Sequence, residues 1–203
     1  AYFFYGMMTM MWLVSKDYTQ AMRYKKLDLL KTQGLTFKKH IRNIVVNKLL
    51  YASIFIALPF LLSPAPWYIT LVGYTIMQFI TGFVLGIVFQ PAHVVPTSTY
   101  PLPDKSGDIE ADWAVSQMYN TSNFAQNSKL FSWYVGGLNF QVEHHLFPNV
   151  CHVHYNKLSG IVKSTAEEFQ VPYYSYETFF GALKEHTRML YDLGNKDIAP
   201  AIH

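Results

Sequence analysis

Hydrophobic and polar positions divide this chain sharply. From Leu49 to Pro103 there is no Asp, Glu, Lys or Arg. A soluble fold offers a site for a charge at almost every surface turn, so a charge-free run of this length places the segment in a bilayer. Two apolar stretches within this region predict spanning helices. Ile44–Leu62 has 19 residues, about 28 Å of helix at 1.5 Å per residue. Trp67–Phe89 has 23, enough to cross with some tilt. The link "SPAP" at 63–66 is too short for anything but a helical hairpin. Lys48, one turn into the first span, is placed to snorkel to the headgroups, and Trp67 and Tyr68 to sit in the interface.

The flanks follow other patterns. Residues 1–14 are apolar but short of the roughly 20 needed to cross, so they read as the end of a spanning helix or an interfacial segment. Residues 90–110 are rich in Pro, Ser and Gly and read as a loop. Residues 111–140 predict a helix broken near Gly136-Gly137, and Pro148 ends the next one. Two amphipathic helices complete the chain, Tyr155–Phe169 and another from beyond Ser175 to Gly194. The second stacks Phe179, Leu183, His186, Leu190 and Leu193 on one face. The expected fold is all-α, a transmembrane helical hairpin with a cytoplasmic helical cap. Its parts are an apolar segment and basic flank (1–48), the hairpin (44–89) and a cytoplasmic helical region (90–203).

Composition agrees. Charged residues make up 14% against about 25% in soluble domains. The net charge of +3 is modest, but residues 16–48 carry nine Lys and Arg against Asp17 and Asp28. A basic run directly before an apolar span fits a cytoplasmic flank facing anionic lipid better than it fits nucleic-acid binding. The hairpin link has no basic residue and reads as the outer side, which returns everything after Phe89 to the cytoplasm. Cys151 is the only cysteine, so no intrachain disulfide forms. The N-terminal stretch lacks the pattern of a cleavable signal. It opens with Ala inside an apolar segment, as expected of a fragment of something longer.

Candidate chemistry is concentrated in "LNFQVEHHLFPNVCHVH" (138–154), which holds four of the eight histidines. Gln141, His144 and His145 stand at i, i+3 and i+4, on one face of a helix. Neighbouring imidazoles diverge by about 100°, which suits two metals better than one, and imidazole suits iron, zinc or copper. The alternative is a surface histidine pair at a helix end. His93, just past the second span, sits at the membrane rim, where ionisable groups are functional candidates; the alternative is an interfacial histidine bonded to a carbonyl. Glu143 either orients a ligand imidazole or forms a salt bridge. His152 and His154 read as supporting or interfacial, His40 and His203 as solvated, and His186 as a packing residue. There is no phosphate loop and no G-x-S-x-G, and Cys151 beside His152 lacks a third orienting group.

"GLNFQVEHHLFP" resembles the third histidine box of the membrane fatty acid desaturases, in the Q-x-x-H-H form of front-end (cytochrome b5-fusion) and related bacterial acyl-CoA or acyl-lipid enzymes. "FQPAHVV" is similar to the segment carrying the family's additional histidine ligand. "DWAVSQMYNTSNFA" resembles the helix leading into the third box, and "CHVHYNKLSGIVKSTAEEFQVPYY" the C-terminal cytoplasmic stretch. The resemblance implies a di-iron centre on the cytoplasmic face that uses O₂ to introduce a cis double bond into a fatty acyl-CoA or acyl-lipid. Electrons would come from cytochrome b5 or ferredoxin. It implies His144 and His145 as catalytic-centre iron ligands and His93 as the additional ligand. Gln141 stands where many members have histidine, as a weak amide ligand or a pocket-shaping group. The family's first two boxes, H-x₃₋₄-H and H-x₂₋₃-H-H, have no counterpart before His93. This chain alone is therefore expected to hold an incomplete di-iron site and to be inactive. A hydroxylase on the same scaffold and a non-catalytic truncated membrane protein stand as alternatives.

Overall fold

The computed structural model describes residues 2–100, 104–105 and 112–195. His203, much of the expected 90–110 loop and the end of the cytoplasmic region lie outside the described residues. The chain divides into two compact units, Ala1–Gly86 and Ile87–His203.

The first unit is helical almost throughout. α1 (Tyr2–Gly6), α2 (Met8–Met11) and α3 (Asp17–Lys26) follow one another, the last two joined by a π-helical turn at Trp12–Lys16. The short α4 (Leu29–Thr32) ends before Gly34, whose φ of +64° suits glycine. Thr36 then opens α5 (Phe37–Ala52), accepting a hydrogen bond from the Lys39 N–H at 3.3 Å. The helix therefore starts a full two turns before the apolar stretch, because the basic flank is helical as well. A π turn at Ser53–Ala57 links α5 to α6 (Leu58–Leu62). Pro59 explains the turn: it has no N–H for the Phe55 carbonyl. α7 runs Trp67–Phe89, the span expected from hydrophobicity.

Two helices, Phe37–Leu62 and Trp67–Ala92, are long and apolar enough to cross a membrane. Leu61 is 80% and Leu49 62% exposed, the pattern of side chains solvated by lipid. Polar groups on these helices are satisfied locally, as an apolar medium demands. Ser53, Thr75 and Thr81 donate to the carbonyls of Leu49, Leu71 and Met77 at 2.7–2.9 Å. Buried Gln78 donates to the Tyr51 and Tyr74 hydroxyls. Lys48 does not reach outward as expected. It pairs with Asp17 at 2.8 Å and donates to the Leu13 carbonyl. α1 packs against the small face of α7, where a Cβ on Gly82 would lie 2.7 Å from the Tyr5 carbonyl oxygen.

The second unit begins with a 3₁₀ turn, Gln90–Ala92, followed by α8 (Trp113–Tyr119), α9 (Lys129–Tyr134), α10 (Gln141–Leu146), α11 (Tyr155–Glu168) and α12 (Phe179–Asn195). The single helix expected over 111–140 is replaced by two short ones. Asn120 to Ser122 leave the helix so that β1 (Asn123–Phe124) can pair in parallel with β2 (Ser175–Tyr176). The fold is thus mostly helical, with one two-residue ladder that an all-α reading leaves out. Gly136 and Gly137, at φ +61° and +76°, end α9 at the expected break. One core cluster joins Ala92, Phe124, Ala125 and Ala182, with Phe131 and Phe179 packed on it. The other joins Met118, Val142, Val162 and Ala166. His186 is fully buried and its Nδ1–H donates to the Val94 carbonyl at 2.7 Å, a satisfied packing residue as its place on the apolar face implied. Leu193, expected on that face, is half exposed.

Candidate metal centre

α10 carries the histidine pair, and His93 follows the 3₁₀ turn at the end of α7. The His93 and His145 rings lie 5.0 Å apart and those of His144 and His145 5.8 Å, with the latter planes 75° apart. His93 and His145 are the nearer pair, and the His144 ring stands edge-on to that of His145. No group of three His, Cys, Asp or Glu among the described residues is arranged to hold a metal ion. The three imidazoles lie near one another without forming a metal site by themselves.

Each ring has its Nδ1 beside an oxygen. The Nδ1 of His145 is 2.7 Å from Gln117 Oε1. That of His93 is 3.4 Å from the Asn120 carbonyl, and that of His144 is 3.4 Å from the Tyr155 hydroxyl. Gln117 and Asn120 belong to α8 and its C-terminal end, so this helix braces two of the histidines. Oxygen partners at Nδ1 favour the tautomer with a free Nε2, the usual arrangement for a metal-ligating histidine. Burial pushes the His145 pKa down to about 4, helped by the neighbouring charges of His93 and His144. Burial also lowers that of His93, against the opposing hydrogen bond from Asn120. Both shifts favour the neutral imidazole, the form that binds metal.

Gln141 is fully buried, and neither its Oε1 nor its Nε2 has a hydrogen-bond partner. Orphaned buried amides are rare because each unmade bond costs stability. On α10 it stands three and four residues before the two histidines, a buried amide with no hydrogen-bond partner among the described residues. The donor types fit a metal, and their number makes the set partial.

Among the described residues Glu143 makes no salt bridge and no hydrogen bond to an imidazole; its partners are Asn123 and Tyr173. It is fully buried; its Oε2 accepts from Asn123 Nδ2 at 2.9 Å and its Oε1 from the Tyr173 hydroxyl at 2.8 Å. Burial raises its pKa, partly countered by these hydrogen bonds. Burial and the Glu143 charge raise that of Tyr173. His152 and His154 are exposed; His152 packs on Gly137, where a Cβ would lie 2.9 Å from the histidine Cβ. Cys151 Sγ lies 4.0 Å from His152 Nδ1 with no further partner to activate it. His40 is half-buried, its ring 6.4 Å from that of Tyr24.

Gln117, Asn120, Asn123, Tyr155 and Tyr173 were not singled out by sequence reasoning. They reach the site through tertiary contacts that leave no periodic signal. The cues were the stretches "DWAVSQMYNTSNFA" and "CHVHYNKLSGIVKSTAEEFQVPYY", each taken as a whole.

A cavity of about 510 Å³ opens beside α10, lined by Val115, Met118, Leu146, Phe147, Val162 and Ala166 among others, with Thr165 the one polar lining residue. A larger one, about 750 Å³, lies in the first unit and is lined by no histidine.

A family model described as fatty acid desaturase matches residues 1–177. The chain is 42% identical over 148 residues to an acyl-lipid (8-3)-desaturase of Physcomitrium patens, covering 73% of this chain and 31% of the relative. It is 42% identical over 125 residues to the sn-1 linoleoyl-lipid 6-desaturase of a Synechocystis strain, covering 61% and 35%. It is 38% identical over 143 residues to the sn-1 linoleoyl-lipid 6-desaturase of Arthrospira platensis, covering 70% and 38%. The chain spans about a third of the length of these curated relatives. No solved structure matches it.

Proposed function

The chain belongs to the fatty acid desaturase family, and from that membership we propose that it forms the third-histidine-box portion of an acyl-lipid desaturase. The observation that carries this reading is the trio His93, His144 and His145, each with Nδ1 beside an oxygen, next to the orphaned Gln141 amide. These residues would hold iron through Nε2, with Gln141 as an amide donor or a partner for bound water. Iron, when bound, supplies the oxidising power that no side chain has. The overall change removes two hydrogens from the acyl chain and reduces O₂ to two waters, with two further electrons from a donor protein of the cytochrome b5 or ferredoxin type.

The chain's own residues bind and orient. Gln117, Tyr155 and the Asn120 carbonyl orient the imidazoles, and burial favours the neutral form of His93 and His145. The apolar cavity beside α10 offers the acyl chain a place where only Thr165 competes by hydrogen bonding. The basic segment 16–48, directly before the apolar span, supports a cytoplasmic placement of the histidine-bearing region. Relatives named for acyl-lipid substrates favour a lipid-linked acyl group over acyl-CoA. With three imidazoles for two irons, the 203-residue chain alone is inactive.

Fatty-acid profiling of a yeast host tests this. Expression of the chain alone leaves the profile unchanged, and expression of a reading frame that adds the two upstream histidine boxes introduces a new double bond. A hydroxylated product, or no product from the longer frame, refutes it.

A further inference from the structure

α10 is only six residues long, and its N-cap residue, Phe140, supplies no side-chain hydrogen bond. A helix this short does not hold its own orientation, yet it carries two of the three imidazoles. What fixes it is a set of buried polar groups from two distant segments. Asn123 Oδ1 accepts from the Val142 N–H at 2.9 Å, satisfying an amide in the first turn of α10. The same residue's Nδ2 donates to Glu143 Oε2 at 2.9 Å, so one amide grips the helix at two consecutive residues. The Tyr173 hydroxyl donates to the other carboxylate oxygen at 2.8 Å. It also lies 2.7 Å from Asn123 Nδ2 and accepts from Gln126 Nε2 at 3.0 Å. Ser175 donates in turn to Gln126 Oε1 at 2.7 Å.

The parallel ladder explains why these segments meet. Asn123 pairs with Ser175, and its N–H donates to the Tyr174 carbonyl. That register brings Asn123 and Tyr173 together at the Glu143 carboxylate. No ion pair among the described residues involves Glu143. Its carboxylate is spent entirely on holding the helix.

We propose that Asn123, Glu143 and Tyr173 form a clamp that sets the orientation of α10, and thereby aims the imidazoles of His144 and His145. They are positioning residues, and the inference rests on the reading of those histidines as metal ligands. Glu143 is then needed for its two acceptor oxygens, one for each donor that grips it.

A donor–acceptor exchange tests the clamp on the full 203-residue chain in detergent micelles. Glu143→Gln leaves one acceptor oxygen for two donors, so its NH2 faces either Asn123 Nδ2 or the Tyr173 hydroxyl, donor against donor. Asn123→Asp sets two carboxylates against each other. In the double substitution the introduced amide donates to the introduced carboxylate, which also accepts from the Val142 N–H, so the grip is rebuilt with its polarity reversed. The readout is nitrogen-15 histidine NMR of His145, assigned by its loss in His145→Gln, with helicity followed by circular dichroism. Wild type is expected to show a single tautomer, protonated at Nδ1 towards Gln117. Each single substitution shifts that signal towards a mixture of tautomers or loses it with the helix, and the double substitution restores it. A wild-type His145 signal in Glu143→Gln overturns the clamp, and so does a change that the double substitution fails to reverse. Failure of the ligand reading shows separately, as iron content unaffected by His144→Ala and His145→Ala.

Discussion

Gln141→Met puts the orphaned amide to a quantitative test. In the structure both polar atoms of this fully buried side chain lack a partner. Each unsatisfied buried group costs about 1–3 kcal/mol. Methionine has nearly the same volume and removes both, at a packing cost of less than about 1.5 kcal/mol. The metal-free chain should therefore gain about 2 kcal/mol. At roughly 2–4 °C per kcal/mol for a chain of this size, the melting temperature rises by about 4–8 °C. The assay is thermal unfolding in detergent micelles with a chelator present, followed by circular dichroism. The same substitution should lower iron retention in a protein with the full ligand set. A stable apo-protein that binds metal less well is the signature of a polar group held unsatisfied for a ligand. If Gln141→Met melts at or below the wild-type temperature, the amide is satisfied in solution and the reasoning fails.

Other consequences can be read independently. Gly82→Ala places a Cβ against backbone oxygens of Tyr5 and Gly6 at 2.7 and 2.9 Å, contacts that cannot swing away, and should destabilise by about 1–3 kcal/mol. Gly73→Ala on the same helix meets nothing within 4 Å and should gain up to about 1 kcal/mol of helix propensity. Melting curves that place the two variants together refute the close packing. His186 has its pKa lowered, chiefly by burial, so the unfolded chain takes up a proton before the folded one does. Stability should fall as pH drops from about 6.5 towards the folded value. His186→Gln, which keeps a donor for the Val94 carbonyl, should flatten that part of a stability–pH curve, and an unchanged slope contradicts the assignment.

How much was legible depended on whether the signal was local. Trp67–Phe89 was placed to the residue because hydrophobicity alone defines a lipid-facing helix. The first span was right in its apolar half, but Phe37–Ile41 is helical for reasons of capping and propensity that an apolar window does not register. The break at Gly136-Gly137 was visible because a left-handed turn asks for glycine. The stretch 111–140 was misread as one broken helix, because pairing of Asn123 with Ser175 overrides local preference from fifty residues away. Gln141, His144 and His145 stood out by spacing and His93 by its place at the membrane rim. The groups that aim them did not. Glu143 was the instructive case: its position suggested either an imidazole or a salt-bridge partner, whereas its donors, Asn123 and Tyr173, come from segments that only the folded chain brings close.

The most direct test of the account is iron content. A protein that carries this chain together with two further histidine boxes is purified from membranes, and iron per chain is measured for wild type and for His93→Ala, His144→Ala, His145→Ala and His152→Ala. Two irons are expected per wild-type chain and in His152→Ala, whose side chain is exposed, with at least one iron lost in each of the other three. Iron unchanged by the substitutions at His93, His144 and His145 would contradict it.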